Sequence, residues 1–248
     1  MTGAQVMNPQ WLNGVRYLIG TDGLQLGQLT TGASAGCCQS WSRPLTTTVT
    51  QEPCWKVTFT GFPGGHSALD LDKKQINPIR LLGMLLIQSD VKIVSLSGGS
   101  AWNVIPSEAS AVITIKDPNI FTHWKSLVRT LGGWMEYEPF SGSAAIWSPI
   151  DQQAALDFLL SLPSGITARL PEHPELPACS SNIGRVDCAD NKLTYHVLLR
   201  GTPQQALDRA ASGCGLVADR CGFDLTYEIR YPTWEGDREN PLAQQMLR

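Results

Sequence analysis

The chain has little that would tie it to nucleic acid or to a membrane. Its 248 residues carry 19 Lys+Arg against 22 Asp+Glu, a formal net charge of -3, with no local cluster of lysine and arginine. Phosphate contacts dominate nucleic-acid affinity, and here they have no source. No run approaches the roughly 20 consecutive apolar residues that span a bilayer. The opening, MTGAQVMNPQ, lacks the basic and apolar segments of a secretory signal. A cytoplasmic protein with neither nucleic acid nor membrane as a partner is the expectation.

Catalytic signatures are equally scarce. Seven cysteines, an odd number, form no CxxC pair, so neither a zinc ribbon nor a closed disulfide framework is indicated. They read as reduced, mostly buried thiols. HExxH, GxGxxG, the nucleotide-binding P-loop and the EF-hand loop are all missing, as are His-x-Asp and adjacent Glu-Glu pairs. Histidine itself occurs only four times.

What the chain does have is 42% hydrophobic residues, enough for a sizeable core. Residues 15–19, VRYLI, read as a short buried strand that delivers Asp22 to a loop. From Gly20 to Ser42 glycine, serine, threonine and glutamine prevail, without a helix signal. Regular patterning begins at Val49. WKVTFT sets Trp55, Val57 and Phe59 on one face and Lys56, Thr58 and Thr60 on the other. Asn77-Pro78 is an N-cap with a first-turn proline for the apolar helix IRLLGMLLIQ. VKIVSL and SAVITIK follow as strands, then an amphipathic helix near FTHWKSLVRTLGGW. Asp151 reads as the cap of a helix over QQAALDFLLSL. ITARL, SNIGRV and KLTYHVLLR read as strands, with Asp190-Asn191 as a hairpin turn. Thr202 with Gln205 reads as a capping box for QQALDRAASGCGLVADR, which Gly222 ends, and DLTYEIR is the last strand. Residues 49–231 therefore form one α+β unit of about eight mainly antiparallel strands and about four helices, in two similar halves sharing a sheet. Residues 1–48 and 232–248 are too short to bury a core of their own and read as parts of a second domain.

Five residues draw attention. His66 follows Gly64-Gly65 in GFPGGHSALDLDKK: it is either a locally satisfied turn histidine or a titratable donor beside a close backbone approach. Asp22 is a turn residue or a metal-binding carboxylate. Asn103, in SGGSAWNVIP, either fixes its loop or binds a ligand. Arg200 ends the apolar strand YHVLLR, as a snorkelled edge residue or as a fixed guanidinium that reads carboxylates. Asn182, in CSSNIG, reads as a loop residue. On these grounds alone the chain is an α+β module with a candidate anion-binding site.

Several stretches taken together go further. MTGAQVMNPQWLNG with GTDGLQLG, then GFPGGHSALDLDKK, INPIRLL, SGGSAWNVIPSEA, CSSNIG, VLLRG and YPTWEGD resemble, in order and near spacing, the aminoacyl-histidine (cytosol non-specific) dipeptidases of the di-zinc aminoacylase/carboxypeptidase superfamily. The resemblance covers essentially the whole chain. It implies that residues 1–48 and 232–248 are part of an α/β zinc-peptidase domain and that 49–231 is a lid and dimerisation domain, so that a homodimer is compatible. It implies metal-dependent hydrolysis of carnosine-like or other dipeptides by a centre of two zinc ions. Asp22 would be a zinc ligand, the one candidate ligand retained, and His66 a lid histidine stabilising the tetrahedral intermediate. Asn103, Asn182 and Arg200 would contact substrate, the arginine holding the terminal carboxylate.

The family's His-x-Asp segment, bridging aspartate and Glu-Glu pair would fall before residue 1, and a further metal-binding histidine after residue 248. Leu24 and Leu26 stand where carboxylates are expected, and Ala68 where a glycine is. The expectation is an internal fragment of such an enzyme, inactive by itself. The alternative is a non-catalytic lid-like module for dimerisation or peptide binding.

Overall fold

The computed structural model describes residues 7–20, 27, 29–73, 75–234, 236–237 and 239–247. They divide into two compact units, Ser34–Thr233 and the two terminal segments, Met1–Ala33 with Trp234–Arg248. The larger unit begins earlier than residue 49, because Ala35–Pro44 is a strand (β1) inside its sheet.

In chain order the larger unit continues with β2 (Thr47–Val49), β3 (Cys54–Thr60), β4 (Gly65–His66) and helix α1 (Pro78–Ile87). Next come β5 (Val91–Gly99), β6 (Val104–Ile105), β7 (Ala109–Ile115), α2 (Ile120–Thr130), β8 (Trp134–Pro139), β9 (Ala145–Trp147) and α3 (Pro149–Ser161). The unit closes with β10 (Gly165–Arg169), β11 (Pro177–Ala189), β12 (Lys192–Gly201), α4 (Gln204–Cys221) and β13 (Asp224–Tyr231).

Nine strands form one sheet in the order β13-β1-β12-β11-β5-β7-β3-β8, with β10 also on β11, and every pairing is antiparallel. Two halves are joined where β11 meets β5 through only Arg185↔Gly99 and Val186↔Gly98. The expected shared sheet is therefore present, and α+β describes it.

One contiguous core holds the four helices against the sheet: Ile79, Leu82 and Leu86 of α1, Phe121, Trp124 and Val128 of α2, Leu156, Phe158 and Leu159 of α3, and Leu207, Ala211 and Ala218 of α4. The opposite side of the central strands carries hydroxyls. Ser42 Oγ is 2.8 Å from Thr194 Oγ1 and 3.0 Å from Thr226 Oγ1.

Local sequence explains most element ends. Asn77 Oδ1 accepts from the N–H of Ile79 at 3.0 Å, with Pro78 at the first helical position. Asp190 and Asn191 both have positive φ, 51° and 53°, the pair demanded by a type I′ hairpin turn. Two caps differ from expectation. Ser148, not Asp151, caps α3, because Pro149 has the fixed φ of a first helical residue. Asp151 instead receives the Ser148 hydroxyl at 2.8 Å. α4 starts without a side-chain cap, since its N-cap residue is Pro203, not Thr202, and proline has no side-chain acceptor.

The smaller unit has a 3₁₀ turn over Pro9–Leu12, an isolated bridge between Ala33 and Trp234, and a helix α5 (Pro241–Met246) capped by Asn240. The expected strand over 15–19 is absent: Leu18 is 73% exposed. A strand needs a partner row of N–H and C=O groups, and no described residue supplies one. Among the described residues no helix is long and apolar enough to cross a membrane. All seven cysteines are free, five of them buried.

Arg43 staples three elements. From the end of β1 it donates to Asp151 Oδ1 at the start of α3 (2.7 Å) and to the Cys221 and Gly222 carbonyls at the end of α4 (2.7 and 3.1 Å). Burial pushes the Asp151 carboxyl up, but the Thr46 N–H, the Arg43 guanidinium and the Ser148 hydroxyl outweigh it and hold its pKa below 3.8. A depressed folded-state value means stability that is present above 3.8 and lost as pH falls through the folded value. Asp151→Ala leaves a mostly buried guanidinium without its carboxylate and is expected to cost about 3 kcal/mol at pH 7. Urea unfolding of both proteins between pH 7 and pH 2.5 checks this. The gap should narrow in acid.

Candidate anion-binding site

The register of β12 builds the site. Arg200 lies opposite Gly36 of β1 and Ser180 of β11, and Leu198 lies opposite Cys38. Cross-strand partners share a face, so the guanidinium emerges beside a position with no side chain. Tyr231 of β13 pairs with Gly36 from the other side. The loop that follows β5 brings Trp102 and Asn103 over these strands. With Ser34 these residues line a cavity of about 310 Å³.

Among the described residues, no carboxylate lines this cavity. Arg200 is half-buried, and among the described residues its Nε has no hydrogen-bond partner, nor has Nε1 of Trp102. Burial pulls the Arg200 pKa below its ordinary value, with the Cys38 thiol pulling the other way, but a guanidinium remains charged. Burial pushes the Cys38 thiol up, against the nearby guanidinium. The result is a desolvated cation and a second N–H donor without an acceptor, which is chemistry suited to a carboxylate.

Asn182 positions the loop. Its Nδ2 donates to the carbonyls of Trp102 (2.7 Å) and Val104 (2.8 Å), the two residues that flank Asn103. The Asn182 side chain is 3% exposed. Trp102 stacks on Tyr227 (5.7 Å) and meets His196 edge-on (5.3 Å). His196 is fixed by Ser40 Oγ at Nδ1 (2.9 Å) and Asp187 Oδ2 at Nε2 (3.0 Å). Burial depresses its pKa against the pull of Asp187.

His66 lies one ladder away. β4 pairs with β6 (His66↔Val104), and the Ser67 N–H donates to the Asn103 carbonyl at 3.0 Å. The ring accepts the Ala68 N–H at Nδ1 (3.3 Å), and Nε2 has no partner among the described residues. The preceding glycines have φ of +61° and +143°. A Cβ on Gly65 would stand 2.6 Å from Asp70 Oδ2, and one on Gly64 3.0 Å from the Ile105 carbonyl. The close approach that requires them is thus to this chain's own β6 and Asp70. His66 is not among the residues lining the Arg200 cavity.

The structure therefore brings Asn103 and Arg200 to one cavity, sets Asn182 beneath their loop and His66 beside it. Asp22, with Leu24 and Leu26, lies outside the described residues. Trp102, Cys38 and Tyr231 escaped sequence reasoning; only the adjacency of Trp102 to Asn103 gave a signal. A larger cleft of about 590 Å³ lies between β10 and the turn at Leu71–Lys73. It is spanned by the Asp72–Arg169 ion pair, so its cation is already paired. Among the described residues, no three His, Cys, Asp or Glu come together to hold a metal ion. The described donor set does not fit a zinc centre.

No family model matches the chain. It aligns with the cytosol non-specific dipeptidase of Escherichia coli (strain K12) at 24% identity over 261 residues, 98% of this chain and 53% of that protein. This chain is a homologue of the cytosol non-specific dipeptidases. Its fold matches the aminoacylhistidine dipeptidase of Vibrio alginolyticus with a TM-score of 0.81 at 24% identity, over 90% of this chain and 49% of that one. The dipeptidase homologue thus spans about half the length of these proteins.

Removing the Asn182 amide unties both carbonyls beside Asn103. Asn182→Ala in the dipeptidase homologue is expected to cost about 2 kcal/mol and to speed hydrogen exchange at the Ser67 N–H. Exchange at wild-type rates would show that the loop is held by something else.

Proposed function

We propose that this chain is the substrate-gripping part of a metal-dependent dipeptidase, and that Arg200 receives the C-terminal carboxylate of a dipeptide. The observation that carries this is the Arg200 cavity: among the described residues, a half-buried guanidinium whose Nε has no partner, a second unpartnered donor at Nε1 of the lining residue Trp102, and no acidic residue in the lining. Homology to a dipeptidase supplies the substrate class. A cytosolic setting, as in the name of that relative, is part of the proposal.

In this reading the carboxylate replaces the water that a buried guanidinium lacks, and pairing removes the cost of keeping an unpartnered charge out of solvent. Asn103, exposed at the mouth of the cavity, offers an amide to the ligand backbone. His66, whose Nε2 has no partner among the described residues, stands on β4 beside the Trp102–Val104 loop, and in this reading it is the donor to the more distant end of a bound dipeptide. The hydrolytic step is assigned to a metal centre whose donors are not grouped among the described residues. This chain's own contribution is binding and orientation, which lower the barrier by fixing the reacting geometry.

Titration with β-alanyl-histidine and with its C-terminal amide, followed by NMR at the Arg200 Nε–H and Trp102 Nε1–H signals, tests the proposal. The acid should shift both signals and the amide neither. Arg200→Ala should weaken binding about 30-fold or more. Equal binding of acid and amide, or binding indifferent to Arg200→Ala, would sink the assignment. In a separate assay with added zinc, the chain should bind the dipeptide without cleaving it; turnover would show that its own residues suffice for the chemistry.

A further inference from the structure

We propose that the cavity beside Arg200 selects for an apolar side chain next to the bound carboxylate, and that Gly36 sets the room for it. This rests on the reading of Arg200 as the carboxylate receiver and adds what kind of C-terminal residue it accepts.

Beyond Arg200 the walls are mostly apolar. Leu198 and Cys38 stand next to the guanidinium on the same face and are 5% and 8% exposed, and Trp102 and Tyr231 also line the cavity. The space exists because Gly36, opposite Arg200, has no side chain. Its φ lies outside the left-handed region, so the backbone does not require glycine there. A Cβ at Gly36 would already stand 3.4 Å from Tyr231 Cδ2, ordinary contact, and any longer branch would enter the cavity.

Charge then decides what can occupy the room. A lysine or arginine side chain on the ligand would face Arg200 with no carboxylate among the described lining residues to accept it. An aspartate or glutamate side chain would bring a second anion to a guanidinium already neutralised by the terminal carboxylate, and would be desolvated without a partner. Leucine, methionine or phenylalanine removes apolar surface from water against Leu198, Cys38 and the two rings.

Isothermal titration of the full chain with glycyl-leucine, glycyl-lysine, glycyl-aspartate and glycyl-leucinamide tests the idea. Glycyl-leucine should bind tightest, with the lysine and aspartate dipeptides weaker by about tenfold or more. Gly36→Val should lose about tenfold for glycyl-leucine while keeping the wild-type thermal unfolding midpoint. If the three acids bind within about threefold of one another, or if a folded Gly36→Val binds glycyl-leucine as wild type does, the selectivity is refuted and the Arg200 reading stands. If glycyl-leucinamide binds as well as glycyl-leucine, or if no acid binds, the Arg200 reading fails and this inference with it. Should Gly36→Val not fold, the wild-type series decides alone.

Discussion

The candidate site depends on one side-chain amide. Asn182 gives both protons of its Nδ2 to carbonyls on either side of Asn103, at 2.7 and 2.8 Å, and it does so from β11, the strand next to Arg200's β12 in the same half of the sheet. The loop it holds leaves β5 where the halves meet. There, Gly99 has φ of +69° and would place a Cβ 2.0 Å from the Gly184 carbonyl. Gly184 itself has the Ala101 carbonyl 2.2 Å from where its Cβ would be. Two backbones can cross this closely only without side chains. That crossing sends residues 100–105 from one half of the sheet over β12 of the other, and Asn182 keeps them there.

A half-buried guanidinium with no carboxylate beside it among the described residues would be a costly feature in a domain built only for stability. Two other half-buried arginines of the larger unit are spent on structure. Arg43 joins α3 and α4 to β1, and Arg80 donates to three carbonyls at the end of α3, Leu159, Leu160 and Leu162. Arg200 has no such employment at Nε among the described residues. The contrast between satisfied and unsatisfied arginines separates scaffold from site more sharply than cavity size, since the larger cleft at β10 has its arginine already paired with Asp72.

The polar network under Trp102 follows the same logic in reverse. Ser40, His196 and Asp187 form a fully bonded line on the hydroxyl-bearing face, and Trp102 packs on it. Every member has a partner, so this line serves as a firm seat for the indole. The indole stacks on Tyr227 and meets His196 edge-on, and the Trp102 backbone carbonyl is held by Asn182.

The sequence by itself determined the α+β class, the paired halves, the capped helix at Asn77 and the hairpin at Asp190-Asn191, because each rests on local periodicity or turn chemistry read within a few residues. It also marked Asn103 and Arg200 as unusual for their surroundings. It did not reveal β1, whose stretch AGCCQSWSRP is buried on both faces and so has no alternation to read. Residues 15–19 failed for the opposite reason: their apolar pattern suits a strand, but pairing is not a local property. Only the tertiary structure decided that Asn182 is a clamp, that the Gly64-Gly65 space is filled from within, and that Gly36, Cys38, Trp102 and Tyr231 surround Arg200. These facts depend on strand register and on one loop crossing between distant segments, and neither leaves a trace in the neighbouring sequence.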